Sequence, residues 1–174
     1  MRSGCSPAPS VRRVASRRRH PCDLPGWTSV RIDCALLCDA VTVRDDLLHI
    51  LGGGITRLQR PSWPGPLGVS LAVRVMVHPT ERKETHTLRC VLVDQDGQEI
   101  VRAEAEFSMV ATGPMQPGEE FNVPIPIPLA HLLIPRATAY SFELLVDGVH
   151  QASVPFVAVE VPQAELPLTE EGES

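Results

Sequence analysis

The stretch Thr87-Leu88-Arg89-Cys90-Val91-Leu92-Val93-Asp94-Gln95-Asp96-Gly97-Gln98-Glu99-Ile100-Val101-Arg102-Ala103-Glu104-Ala105-Glu106-Phe107 reads as one β-hairpin. Val101, Ala103, Ala105 and Phe107 alternate with Arg102, Glu104 and Glu106, and a period of two puts apolar and polar side chains on opposite faces of a strand. Asp96-Gly97 is the preferred filling of a two-residue type I′ turn, because both central positions need positive φ. The pattern recurs where Tyr140, Phe142, Leu144 and Val146 lead into Asp147-Gly148 and a return arm at 149–159. An antiparallel β protein is therefore expected.

Further runs extend the same architecture in both directions. Residues 32–43 and 47–58 flank Arg44-Asp45-Asp46 and predict a third hairpin, although Ile32, Leu36, Ala40 and Val43 also fit a short helix. Residues 61–66 hold three prolines and are expected to be irregular. Leu71, Val73, Val75 and Val77 line one face of a strand over 67–77, followed by a charged loop at 78–84. In Val123-Pro124-Ile125-Pro126-Ile127-Pro128-Leu129 the prolines occupy alternate positions. They delete every backbone donor along one edge while Val123, Ile125 and Ile127 keep theirs on the other, which predicts an edge strand; a polyproline II segment is the alternative. A short helical turn is expected at 131–134. The sum is an all-β, antiparallel two-sheet sandwich of the immunoglobulin-like kind with about seven or eight strands. Ala139-Tyr140-Ser141-Phe142 resembles the tyrosine corner of such sandwiches.

Length and charge divide the chain. Its 174 residues suit one domain. The first 28 residues carry a net +5 through six arginines, the remainder −10. We expect a disordered basic tail over 1–29, a β domain over 30–161 and a disordered acidic tail over 162–174. Val30 opens the compact part, and a GTG codon read as Val internally can also start translation. A native start at Val30 is one explanation of the basic segment, which the intact mass of the host protein would settle; a phosphate-touching arm and a transit peptide are the others. An acidic body repels nucleic acid, so nucleic-acid contact is expected only through the basic tail. No stretch approaches the roughly 20 apolar residues of a membrane span, and no apolar core follows the N-terminal arginines as in a secretory signal. Cytoplasmic localisation is the expectation.

The residues offer little chemistry. Five cysteines are an odd number; Cys34 and Cys38 stand about 13 Å apart if in one strand, too far to bridge. Cys34–Cys90 or Cys38–Cys90 is geometrically open, but free buried thiols are expected. Asp94-Gln95-Asp96-Gly97-Gln98-Glu99 has only two of the alternating ligands of a calcium loop. His20, His49, His78, His86, His131 and His150 match no zinc spacing; a surface site at His78 and His86 beside Glu81 and Glu84 is weaker than a solvated loop. Ser70 lies within a strand and Asp45-Asp46 within a turn, so no catalytic residues, metal or cofactor are assigned. Gly52-Gly53-Gly54 resumes a strand instead of opening a helix, unlike a phosphate loop, and reads first as a bend between sheets. As a ligand site it would comprise Gly52, Gly53, Gly54 and His49.

Two stretches carry a family likeness. Asp33-Cys34-Ala35-Leu36-Leu37-Cys38-Asp39-Ala40-Val41-Thr42-Val43 continues to Leu47-Leu48-His49-Ile50-Leu51-Gly52-Gly53-Gly54-Ile55-Thr56, and Tyr140-Ser141-Phe142-Glu143-Leu144-Leu145-Val146-Asp147-Gly148 closes the chain. Together they resemble a family of small bacterial proteins from high-GC genomes known only as a domain of unknown function. The resemblance covers about 30–159 and implies a cytoplasmic single-domain protein with the basic segment outside the pattern. It implies no activity and no site residues. The function expected is a non-enzymatic module binding an unidentified protein partner or forming a homo-oligomer, with loops at 61–66, 78–84 and 112–120 as contacts. A small-ligand or hydrolytic protein with a pocket near 52–54 is the alternative.

Overall fold

The fold was analysed in a computed structural model, which describes residues 29–81, 83–109, 116 and 118–161. The tails expected at 1–29 and 162–174 lie outside these residues, Ser29 excepted, as do 112–115 and 117 of the expected contact loop. The chain is all-β. Its strands are β1 (Val30–Cys38), β2 (Ala40–Arg44), β3 (Leu47–Leu51), β4 (Arg57–Arg60), β5 (Gly65–Pro66), β6 (Ser70–Val77), β7 (Thr85–Asp94), β8 (Glu99–Ser108), β9 (Phe121–Pro128), β10 (Leu133–Ile134), β11 (Ala139–Val146) and β12 (Val149–Glu160). A single 3-10 turn, Pro79–Glu81, is the one helical element among the described residues.

The strands form a five-stranded sheet ordered β4-β12-β11-β7-β8, a three-stranded sheet ordered β1-β6-β9, and the pairs β2–β3 and β10–β5, with one sheet curled as a half-barrel. Twelve strands replace the seven or eight expected. The long runs break where the chain must bend: at Asp39 between β1 and β2, and at the glycines between β3 and β4. The antiparallel expectation also needs correcting, because β4 runs parallel to β12, with Arg57 opposite Val157. Only strands joined by a tight turn are forced to be antiparallel, and most of the chain separates these two.

The turns follow the backbone chemistry closely. Asp147 and Gly148 sit at φ 50° and 79°, and Val146 pairs with Val149, as a type I′ turn requires. Asp96-Gly97 differs: only Gly97 has positive φ, at 75°, and its N–H donates to Asp94 O at 2.9 Å while Asp94 N–H donates to Gln98 O at 3.0 Å. This is a three-residue loop with a glycine bulge, because the Asp94 carboxylate also accepts the N–H groups of Asp96 and Gln98 and holds the wider loop closed. The expected third hairpin does turn in two residues, with Asp45 and Asp46 at φ 51° and 57° and Arg44 opposite Leu47.

Two local expectations at prolines come out differently. Residues 131–134 do not close as a helical turn; Leu133 and Ile134 are extended and pair with Pro66 and Gly65, so 65–66 is regular after all. Pro135 disfavours the helical region for Ile134. The proline strand behaves as expected. Among the described residues β9 pairs only with β6, Val123 opposite Val75 and Ile125 opposite Val73, and Leu129 N–H donates to Val69 O at 3.2 Å. Odd positions thus face β6, and Pro124, Pro126 and Pro128 face away, so the outer edge of β9 lacks their donors.

One hydrophobic core takes side chains from both main sheets. Leu37, Leu71, Val73, Val75 and Val77 meet Leu88, Leu92, Phe142, Leu144 and Phe156, each worth about 1.5–3 kcal/mol of transfer free energy. Phe156 stacks between Tyr140 and Phe142, at centroid distances of 5.5 and 5.7 Å. Tyr140 reaches the core edge, and its hydroxyl donates to the Arg136 carbonyl at 3.0 Å.

Candidate functional site

The β2–β3 hairpin pairs with neither main sheet but lies over β6 and β9, and it carries four of the exposed large apolar side chains, Val43, Leu47, Ile50 and Leu51. Its tip is tied by Asn122 Nδ2, which donates to the Asp46 carbonyl at 2.6 Å. Val41 and Leu48 are half-buried and lie on one face with Val43 and Ile50. Leu47, His49 and Leu51 share the other face, where Leu47 is 58% and Leu51 69% exposed. His49 is exposed between the two leucines and opposite Thr42. An apolar stripe with an imidazole at its centre therefore faces outward.

The three glycines after the hairpin serve as the crossing between sheets. Gly54 N–H and Ile55 N–H both donate to Leu37 O in β1, and Val157 N–H donates to Thr56 O at 2.9 Å. Within a few residues the chain passes from the edge of one sheet to the edge of the other. Gly52 and Gly54 have φ of +61° and +91°, which side-chain-bearing residues avoid. A Cβ on Gly52 would lie 2.0 Å from Asp39 Oδ2, whereas one on Gly53 would meet Ile50 and Leu36 methyls at 3.0 and 3.1 Å. Gly52, Gly54 and His49 come from neighbouring positions, but the glycines bend the chain while His49 looks outward from the strand.

Three polar clusters sit elsewhere. His86, buried on the core face of β7, places Nδ1 2.8 Å from Asp147 Oδ2, and Asp147 also accepts Thr87 N–H at 2.8 Å. Burial pushes the Asp147 carboxyl up, but the bonds from Thr87 and His86 outweigh it and leave it below its usual range. His86 Nε2 is buried without a partner. With Nδ1–H given to Asp147, Nε2 is a bare acceptor over the Phe107 side, 5.5 Å between ring centroids. At the opposite end of β7, Asp94 accepts Arg136 Nη2 at 2.8 Å in addition to its turn N–H groups. The Gln98 N–H is the main cause holding the Asp94 carboxyl below its usual range, against burial and with help from Arg136 and Asp96. Its lone pairs are thus spent on the turn, as a calcium loop's would not be.

The third cluster lies on the outer face of the five-stranded sheet and was not legible as a group in the sequence. A register shift between Leu144 and Leu145 puts His150 opposite Leu145, on the face of Glu143 instead of the core face of Ala152 and Val154. Glu143 then accepts Ser141 Oγ at 2.6 Å on Oε1, and Ser153 Oγ at 2.5 Å and His150 Nε2 at 2.6 Å on Oε2. Burial raises this carboxyl, yet the three bonds win and lower it. Serine, histidine and glutamate are the parts of a hydrolytic triad, but the connectivity is wrong. Nucleophilic activation needs the serine proton aimed at histidine and the acid on the other ring nitrogen; here Ser153 Oγ lies 3.2 Å from His150 Nε2, but Glu143 Oε2 engages that same nitrogen and takes the serine hydroxyl. Mid-strand backbone N–H groups are also committed to the ladder, away from any oxyanion. The cluster cross-links β11 to β12.

The remaining candidates are dispersed. His78 Nδ1 bonds Thr80 Oγ1 at 2.9 Å, while His86 is turned into the core, so the two do not share a site. Among the described residues no three His, Cys, Asp or Glu side chains gather as a metal site would need. Cys34, Cys38 and Cys90 are free thiols, and burial pushes Cys90 up to about 11. No helix among the described residues is long and apolar enough to cross a membrane. Comparison with curated proteins returned no match. A family model described as "Family of unknown function (DUF6941)" matches residues 33–159, and the chain belongs to that family.

Proposed function

We propose that the protein is a non-enzymatic protein-interaction module that presents the outward face of the β2–β3 hairpin to an apolar surface of a partner protein. The observation that carries this is Leu47 and Leu51, more than half exposed on a hairpin whose other face is already engaged. Leu47 and Leu51 flank His49 on one face, and apolar side chains gathered on one face mark contact sites more often than scattered ones do. Within this reading the two main sheets are the layers of an immunoglobulin-like sandwich over 30–161. Their shared core and the Tyr140-to-Arg136 hydrogen bond support that assignment. Free thiols at Cys34, Cys38 and Cys90 support a reducing, cytoplasmic setting.

The test replaces Leu47 and Leu51 by Asp together. Exposed positions contribute little to stability, so the melting temperature should stay within a few degrees of wild type. Capture of a partner by the wild-type chain, lost in the variant, supports the module. Equal capture by both chains overturns the hairpin as its contact surface, and a large drop in melting temperature assigns the leucines to packing instead.

A further inference from the structure

We infer that two copies of the chain pair through the free edge of β8, in antiparallel register about a two-fold axis at Ala103. Among the described residues β8 pairs only with β7, and it is ten residues long without a proline. On its core-facing side Val101 and Phe107 pack against the core, but the strand is open between them. Ala103 and Ala105 are exposed although their cross-strand partners Cys90 and Leu88 are buried. A long, uncovered edge of this kind is a template for another strand.

Backbone direction at this edge follows from two hydrogen bonds. Asp94 N–H donates across to Gln98 O, so even positions of β7 face β8. Asp147 N–H donates to Thr87 O, so odd positions face β11. Cys90 is therefore hydrogen-bonded to Ala103, and the N–H and C=O groups of Arg102, Glu104 and Glu106 point to the open edge. Only registers pairing even with even positions can join two such edges and keep both apolar faces on one side.

Within one chain Arg102 pairs with Glu99 and Glu104 with Arg89, on the outer face of the sheet, and a second copy would extend these pairs into a charge network whose signs select among the registers. With the axis at Ala103, Arg102 of each copy lies opposite Glu104 of the other, and Val101 meets Ala105. With the axis at Glu104, that carboxylate faces its own copy; with the axis at Arg102, two guanidiniums meet. Like charges directly opposite are destabilising and opposite charges favourable, so the Ala103 register is preferred. The product is a continuous ten-stranded sheet. The occupant is a second copy because the edge complements itself in charge, in backbone polarity and in small apolar side chains. The inference extends the interaction-module reading: such a dimer displays two hairpins, but its contact surface is independent of Leu47 and Leu51.

Light scattering of the full chain after size exclusion tests this, with a mass of two chains expected. Glu104→Pro removes an N–H from the open edge but none from the β7 ladder, and should give the mass of one chain. Arg102→Glu should weaken dimerisation at least about tenfold by placing like charges opposite each other. Arg102→Glu combined with Glu104→Arg restores opposite charges and should restore the dimer. Circular dichroism confirms folding; if Glu104→Pro does not fold, the charge pair alone decides. A wild-type chain that stays single at all concentrations overturns the inference, and so does a double charge swap that fails to recover the dimer. A dimer dissolved by the Leu47 and Leu51 replacements but kept by Glu104→Pro transfers self-contact to the hairpin and also overturns it.

Discussion

β8 and β9 are the outer strands on the same side of the molecule's two main sheets, and they treat their free edges in opposite ways. β9 carries proline at 124, 126 and 128, each with its missing N–H on the open side. β8 carries Arg102, Glu104 and Glu106 there with intact backbone groups. Proline closes an edge to every strand, whereas charged side chains close it to most strands and leave it open to a complementary one. The two neighbouring edges therefore differ in kind: one is blocked and one is selective.

Substitutions along these strands break the contrast, and the largest effect is expected inside β9. Ile125→Pro puts the deletion on the β6-facing side and removes a core side chain, so urea unfolding should show a loss of roughly 3 kcal/mol or more. In β8 the same logic separates neighbours. Ala103→Pro breaks a bond to Cys90 and should cost about 1–3 kcal/mol, whereas Glu104→Pro should cost under about 1 kcal/mol, comparing melts at matched concentration. Equal losses at 103 and 104 would contradict the assigned backbone directions.

Next in size is the crossing that joins the edges on the far side. Gly52→Ala forces a side chain into positive φ against Asp39, and about 1–2 kcal/mol of destabilisation is expected, more than for Gly53→Ala. Acid adds a smaller, graded effect. Asp94, Glu143, Asp147 and Glu120, whose carboxylate accepts both Nη groups of Arg31 at 2.6 and 2.8 Å, all have folded pKa values below their ordinary ones. The unfolded chain thus binds protons more readily, so this stability is fully present above about pH 4.5 and falls as pH drops through the unfolded values near 4 toward the folded ones. Melting temperatures that do not fall between pH 5 and pH 3 would contradict this. The smallest stability change belongs to Pro126→Ala, within about 0.5 kcal/mol, because only an outward donor is added. Its consequence is social: light scattering should show association beyond the wild-type dimer, growing with concentration.

Much of this could be read from local pattern. The alternation at 101–107 and 140–146, the turn at Asp147-Gly148 and the one-sided donors of the proline strand all follow from rules spanning a few residues. The same rules misjudged Asp96-Gly97, where the Asp94 carboxylate, accepting the N–H of Gln98 four residues on, lengthened the loop. They also missed the Glu143, His150 and Ser153 cluster, since an unpaired residue near Gln151 reverses which face His150 occupies and no sequence pattern marks it. His49 and the glycines were legible as neighbours, but their division of labour between display and bending was not.

Strand content, the placement of the tight turns and the blocking of one edge came from the order of residues alone, because backbone sterics and side-chain alternation act within a turn or a strand. Beyond the three hairpins, which strands became neighbours came only with tertiary folding. The parallel meeting of β4 with β12 and the placement of the β2–β3 hairpin over β6 and β9 join segments far apart in the chain. Their arrangement minimises exposed apolar surface for the whole core at once, and no local rule contains that sum.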